Sequence, residues 1–294
     1  MWILFTFLAA SMQAIRNACQ KELSKEVSVL GVTLARFIYA SPLAALYLAG
    51  LYQFQSPAML EVSAKFSVGF AGYVLAASVM QILATALMVV LFKQKNYAIG
   101  VGLAKSEAIF AAVLGVLFFA SVLSPLGWLG VGVGAIAVFL LSGVRNLTEL
   151  PLQTVAIGAA SGAAFALTSL WIREASLALG LPFPYGAAWV LLFVISCQTL
   201  LLLGYLLIRD RAVLVALWQR PRLTLLTSFF SCIGSLGWFT AMSLESVPLV
   251  KTLGQVEVLF TLLISVFWFK EKLKRTDLLG LALVVIAAVL VMWA

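Results

Sequence analysis

Gly102-Leu-Ala-Lys-Ser-Glu-Ala-Ile-Phe110 returns in the second half of the chain as Thr252-Leu-Gly-Gln-Val-Glu-Val-Leu-Phe260. An offset of 150 residues aligns Leu103 with Leu253, Glu107 with Glu257 and Phe110 with Phe260. It continues without a gap through Phe119 and Phe269, Leu123 and Leu273, Gly130 and Gly280, Ala137 and Ala287. The chain therefore reads as a duplication, with one carboxylate in the middle of an apolar helix in each copy.

Composition sets the solvent. Of 294 residues, 64% are hydrophobic and 10% charged, and the mean hydropathy is +1.12. A soluble domain of this length carries far more charge. Apolar runs of about 20 residues, the length that spans a bilayer, recur along the chain. They do not alternate as β-barrel strands do. The expected fold class is all-α: a polytopic membrane protein of about ten transmembrane helices. The spans are expected at 1–19, 29–50, 67–91, 97–120, 125–144, 154–178, 185–208, 222–243, 248–269 and 275–294. The N-terminus shows no basic leader and no small-residue cleavage site, so residues 1–20 read as a retained helix.

Five spans fall in each half: 1–147 as the first repeat and 148–294 as the second, joined through Arg145 to Gln153. An odd number of spans makes the second repeat enter the membrane from the opposite side. The result is an inverted repeat around a central cavity, a symmetry that suits alternating access. Each repeat finds its partner within the chain, so a monomer is expected. The gap from Tyr52 to Phe66 has room for a linker or one surface turn.

Charge gives the orientation. Lys21, Lys25, Lys93, Lys95, Arg145, Arg209, Arg211, Arg220, Arg222, Lys270, Lys272, Lys274 and Arg275 fall in one set of loops; only Lys65 and Arg173 fall in the other. The positive-inside rule places the first set in the cytoplasm and both termini outside it. The same distribution explains the net charge of +8 as topology and argues against a nucleic-acid partner. With no His, and with Cys19, Cys197 and Cys232 scattered, neither a metal site nor a cofactor is expected. There is no Walker-type glycine motif for ATP.

Charges at mid-helix are costly in lipid, by at least ~2.5–3.5 kcal/mol, and tend to face a cavity. The candidates are Arg36, Lys105, Glu107, Lys251 and Glu257. The glutamates read either as cation or proton sites or as structural carboxyls bonded to a neighbouring helix. Lys105 and Glu107, two residues apart, point to nearly opposite sides of one helix, so at most one faces the cavity and they do not pair with each other. The repeat mate of Lys105 is Gln255. Lys251 and Gln255 read as a polar stripe near a helix N-terminus that begins at Pro248, suited to an anionic group. Arg36, two turns into its helix near Thr33, Tyr39 and Ser41, either holds an anion, pairs with a glutamate or sets topology. Further wall candidates are Gln13, Asn17, Gln81, Thr85, Thr168, Ser169, Trp171, Tyr185, Trp189, Gln198, Ser235 and Trp238; the aromatic ones offer ring faces to a cation or sit in an interfacial belt. Three glycine-rich clusters (Gly130, Gly132 and Gly134; Gly158, Ala159, Gly162 and Ala163; Gly234 and Gly237) mark close helix contacts.

These features together resemble the EamA-type ten-helix exporters of the drug/metabolite transporter superfamily, and are similar in length and layout to bacterial amino-acid exporters of the YddG type. The resemblance rests on the two five-helix repeats, Arg36-Phe37, the Leu103 to Phe119 pattern, and Glu271 ahead of the helix containing Gly280. Ser121 stands where the pattern of the second repeat has Glu271. The resemblance implies a basket-like bundle whose third, fourth, eighth and ninth spans line the cavity, with Gln81, Lys105, Glu107, Ser235, Trp238, Lys251, Gln255 and Glu257 on or near it. It implies a secondary transporter of small solutes in the inner membrane; relatives move amino acids, aromatic metabolites, choline, nucleotide sugars and sugar phosphates. A cavity holding both Lys and Glu fits a zwitterion, with protons as a conceivable coupling ion. A purely anionic solute would use the Lys and Arg set, a choline-like cation the glutamates with Trp238. A membrane-embedded enzyme and a channel are the remote alternatives.

Overall fold

The structure, a computed structural model, describes residues 1–54, 66–93, 103–141, 151–267 and 275–294. Every element among them is helical. They are α1 (Trp2–Leu23), α2 (Val29–Ala35), α3 (Ala40–Phe54), α4 (Val68–Lys93), α5 (Glu107–Phe118), α6 (Pro125–Leu141) and α7 (Leu152–Leu179). Then follow α8 (Tyr185–Arg209), α9 (Arg211–Trp218), α10 (Pro221–Leu244), α11 (Val247–Leu253), a 3-10 turn at Gly254–Val256, α12 (Glu257–Phe267) and α13 (Arg275–Met292). Glu271 and most of the Arg145 to Gln153 join lie outside the described residues.

Long apolar runs need every backbone amide satisfied internally, and a helix does that. The ends are marked locally. Ser28 caps α2 by accepting from the Gly31 amide at 3.4 Å, and Pro221 and Pro248 sit in the first turns of α10 and α11, where a missing N–H costs nothing. Gly180 closes α7 in the left-handed region at φ 55°. Among the described residues six helical stretches, two of them formed by α2 with α3 and by α11 with α12, are long and apolar enough to cross a membrane, and three shorter helices are apolar. The multi-pass membrane fold is plain. The first expected span, α1, falls short on composition because Gln13, Arg16, Asn17 and Gln20 run along one face and turn inward. Large apolar side chains such as Leu46, Leu75, Leu117 and Leu200 cover the outside.

Helices of one half pack chiefly on those of the other. α4 lies on α7, and α1 on α10; α5 lies on α7, and α1 on α12; α6 lies on α13, and α3 on α8. Shifting every residue by the repeat offset turns the first contact of each of the first two couples into the second, and leaves the last two contacts unchanged. Close approaches follow the same rule. A side chain at Gly130 would lie 3.4 Å from the Ala287 carbonyl, and one at Gly280 would lie 3.2 Å from the Ala137 carbonyl. These two contacts are images of each other, and they make α6 and α13 antiparallel. In lipid, small residues rather than hydrophobic exclusion let helices meet. Gly132 touches nothing within 4 Å, so it is no part of that seam. The halves are interleaved rather than set side by side.

Three expected helices are broken. The 29–50 span is interrupted at Arg36 to Tyr39, between α2 and α3. The 97–120 span turns at Lys105 and Ser106 before α5, and the 248–269 span narrows to a 3-10 turn before α12. The last two breaks are equivalent positions of the repeat. The connection after α8, expected as loop, holds the short helix α9.

Among the described residues, the basic loops that follow α1, α4 and α9 share an end of the bundle. Lys21 donates to the Phe92 carbonyl at the end of α4, and Arg220 holds Glu26 through two bonds of 2.5 and 2.6 Å. Arg173 donates to the Met242 and Glu245 carbonyls and so caps α10.

Candidate functional site

The two breaks meet at the centre and build the site. Each places its glutamate as the first residue of a new helix, α5 for Glu107 and α12 for Glu257. The dipole of a helix start favours a carboxylate. Lys105 occupies the turn before α5. Lys251 lies in the last turn of α11, where the dipole favours a cation. The expectation of Lys251 at a helix N-terminus is thereby corrected: Pro248 does open its helix, but that helix is seven residues long and Lys251 is near its other end.

The ion pairs cross between halves. Lys105 bonds Glu257, and Lys251 bonds Glu107 at 2.7 Å. Glu257 also accepts from Gln13 Nε2 and, at 2.8 Å, from Asn17 Nδ2. Asn17 Oδ1 in turn takes two bonds from Arg16, at 2.7 and 3.2 Å. Glu107 accepts from Ser169 Oγ at 3.2 Å. The Lys251 ammonium lies 4.3 Å from the Trp238 ring centroid, and the indole donates to Gln13 Oε1 at 2.8 Å. Both lysines and both glutamates are thus paired, as burial requires.

These residues enclose a cavity lined by Gln13, Asn17, Arg36, Gln81, Lys105, Glu107, Trp238, Lys251 and Glu257, with Phe165, Thr168, Ser169, Phe239 and Met242 among the rest of its wall. Lys105 and Glu107 both reach it. The expectation that at most one could do so assumed a continuous helix; the turn at Lys105 and Ser106 removes that constraint. The free space is small, about 30 Å³, or room for about two waters.

Two expected site residues lie elsewhere. Gln255 is buried against Gly134 of α6, where a Cβ would come within 2.0 Å of its Oε1. The 3-10 turn swings it off the face of Lys251, so the expected polar stripe does not form. Ser235 is buried in α10 outside the lining. Trp171, Tyr185, Trp189 and Gln198 are likewise off the wall; Trp189 donates to Tyr52 at 2.9 Å and joins an aromatic cluster with Phe66 and Phe193. Gln198 reaches the cavity indirectly, by donating to Gln81. The wall also takes in spans one, two and six through Gln13, Asn17, Arg36 and Phe165. Arg16 was not singled out from the sequence, although Gln13, Arg16, Asn17 and Gln20 follow helical spacing on one face, a signal that was available. Among the described residues no group of three or more His, Cys, Asp or Glu side chains comes together to hold a metal.

A polytopic helical bundle with paired charges at breaks in its helices, around a central cavity, defines a membrane transporter in class. Residues 151–293 match the model of the EamA-like transporter family. The chain is an EamA-type member of the drug/metabolite transporter superfamily, whose members carry small solutes. One solved chain, described only as "Crystal structure of protein", is similar over 99% of this chain and 96% of its own, at 14% identity and a TM-score of 0.69; that likeness concerns the fold alone. No curated protein matches.

Proposed function

We propose that this chain is a secondary transporter that exports small zwitterionic metabolites, amino acids foremost, across the bacterial inner membrane by alternating access. The observation that supports this reading is the pair of crossed Lys–Glu bridges, each tying one half of the chain to the other across the cavity. The lock must open before a metabolite fits. A zwitterion brings its own replacement for each partner. Its carboxylate takes a lysine, and its ammonium takes the glutamate that lysine releases. The bridge it takes over parts without leaving a buried charge bare, which would otherwise cost several kcal/mol, about 3–5. With one bridge exchanged for the solute, the two repeats, 1–147 and 148–294, rock about the site and reclose behind the departing solute. A proton on a released glutamate would offer a coupling ion by the same exchange. The cationic end faces the cytoplasm under the positive-inside rule, the termini face outward, and one chain suffices.

Counterflow of labelled amino acids into proteoliposomes tests this. Wild-type protein accumulates label, and Lys105→Ala, still monodisperse in detergent, loses at least ~10-fold of the rate because Glu257 has no cation to exchange. Full activity of the variant would remove Lys105 from the site.

A further inference from the structure

The zwitterion exchange leaves one charge of the cavity unmatched. Five ionisable side chains line the space: Arg36, Lys105, Lys251, Glu107 and Glu257. Each lysine already holds one of the two glutamates. Arg36 has neither.

Its setting is well defined. Arg36 caps the C-terminus of α2 at the break between α2 and α3, and it is 2% exposed. Nε donates to Ser231 Oγ of α10 at 3.2 Å, and Nη1 to Thr85 Oγ1 of α4 at 2.7 Å. The guanidinium carbon lies 5.2 Å from the Phe37 ring centroid and 6.0 Å from that of Phe165. All four partners are neutral. Hydroxyl dipoles and ring faces solvate a cation without cancelling its charge, and a buried charge without a counter-charge is costly. Among the described residues Nη2 has no hydrogen-bond partner. Bonds to two different helices hold the guanidinium in one orientation. A guanidinium fixed in this way, with N–H groups to spare, is suited to a carboxylate or phosphate.

We propose that Arg36 docks a second acidic group, so that the solute is a small zwitterion with an additional carboxylate or phosphate and a net negative charge. This rests on the zwitterion reading above and narrows it. The charge balance decides between the two kinds of solute. Three cations and two carboxylates line the cavity, an excess of one positive charge. A neutral amino acid exchanges with one bridge and leaves that excess in place. An acidic one removes it.

The test is counterflow by the wild-type protein with labelled L-glutamate, O-phospho-L-serine and L-leucine, then by Arg36→Lys and Arg36→Gln. The acidic solutes are carried at least ~10-fold more efficiently than leucine, the worth of one buried charge-assisted contact. Arg36→Gln collapses that ratio towards one. Arg36→Lys, which keeps the charge and loses the fork, falls between. Glutamate ahead of phosphoserine identifies the docked group as a carboxylate, and the reverse order as a phosphate; both support the site. Leucine carried as well as the acids by the wild type overturns the proposal and leaves the exporter reading standing, a result that needs no variant to fold. An acid-to-neutral ratio unmoved in folded Arg36→Gln also overturns it. Transport of none of the three overturns both readings.

Discussion

Glu107 and Glu257 stand at equivalent positions of the repeat, each opening a helix after a break, yet they are held differently. Glu257 is fully buried and takes donors from Gln13, Asn17 and Lys105. Glu107 is slightly exposed and takes Lys251 and Ser169. The difference comes from the neighbouring helix. Against the second break, α1 offers amides. Against the first, α7 offers glycine. A Cβ at Gly162 would lie 2.2 Å from Ser106 Oγ, and one at Gly158 would lie 2.4 Å from the Leu103 Cβ. The α7 backbone fills the space that polar side chains fill on the other side. The two breaks share a backbone device and differ in its chemistry: Glu257 is the more heavily anchored carboxylate, Glu107 the less.

That asymmetry has measurable consequences. Glu257→Ala strips the counter-charge from Lys105 and leaves the Gln13 and Asn17 amides without their acceptor. Unfolding in detergent should show a loss of about 3–5 kcal/mol, the cost of breaking a buried pair. Glu107→Ala, which also bares a lysine but abandons fewer partners, should lose less, about 3 kcal/mol. Equal losses would erase the distinction between the two sites. The smallest effect belongs to Gln255, the repeat mate of Lys105. Both atoms of its amide are buried without a hydrogen-bond partner among the described residues. Gln255→Leu should therefore be neutral or stabilising by up to ~1 kcal/mol in the same assay; a loss of about 2 kcal/mol would mean that the amide has a role the packing does not show.

Much of this was legible in the sequence. The repeat offset, the apolar runs and the mid-helix charges lead to an all-helical membrane fold and to Lys105, Glu107, Lys251, Glu257 and Arg36 at its centre. The breaks were not legible. Periodicity registers apolar length, and no proline lies inside either broken stretch to announce a turn at Lys105 or Val256. Reading them as straight helices put Lys105 and Glu107 on opposite sides and Gln255 beneath Lys251; one turn in each helix reverses both. The crossing of the ion pairs was hidden for a related reason, since it depends on which face each break presents to the other half. Arg16 was missed although its spacing from Gln13 and Gln20 marks an inward stripe on α1.

The central claim is that crossed charge pairs between the halves form the lock that a solute opens. Exchanging the charges of the looser pair tests it most directly, by counterflow in proteoliposomes of Lys251→Glu, Glu107→Lys and the double variant. Each single variant places like charges together and should be inactive. The double variant restores the pair and should regain at least about a tenth of the wild-type rate, a coupling that independent sites do not show. A folded double variant as inactive as the singles, or singles as active as the wild type, would contradict the account.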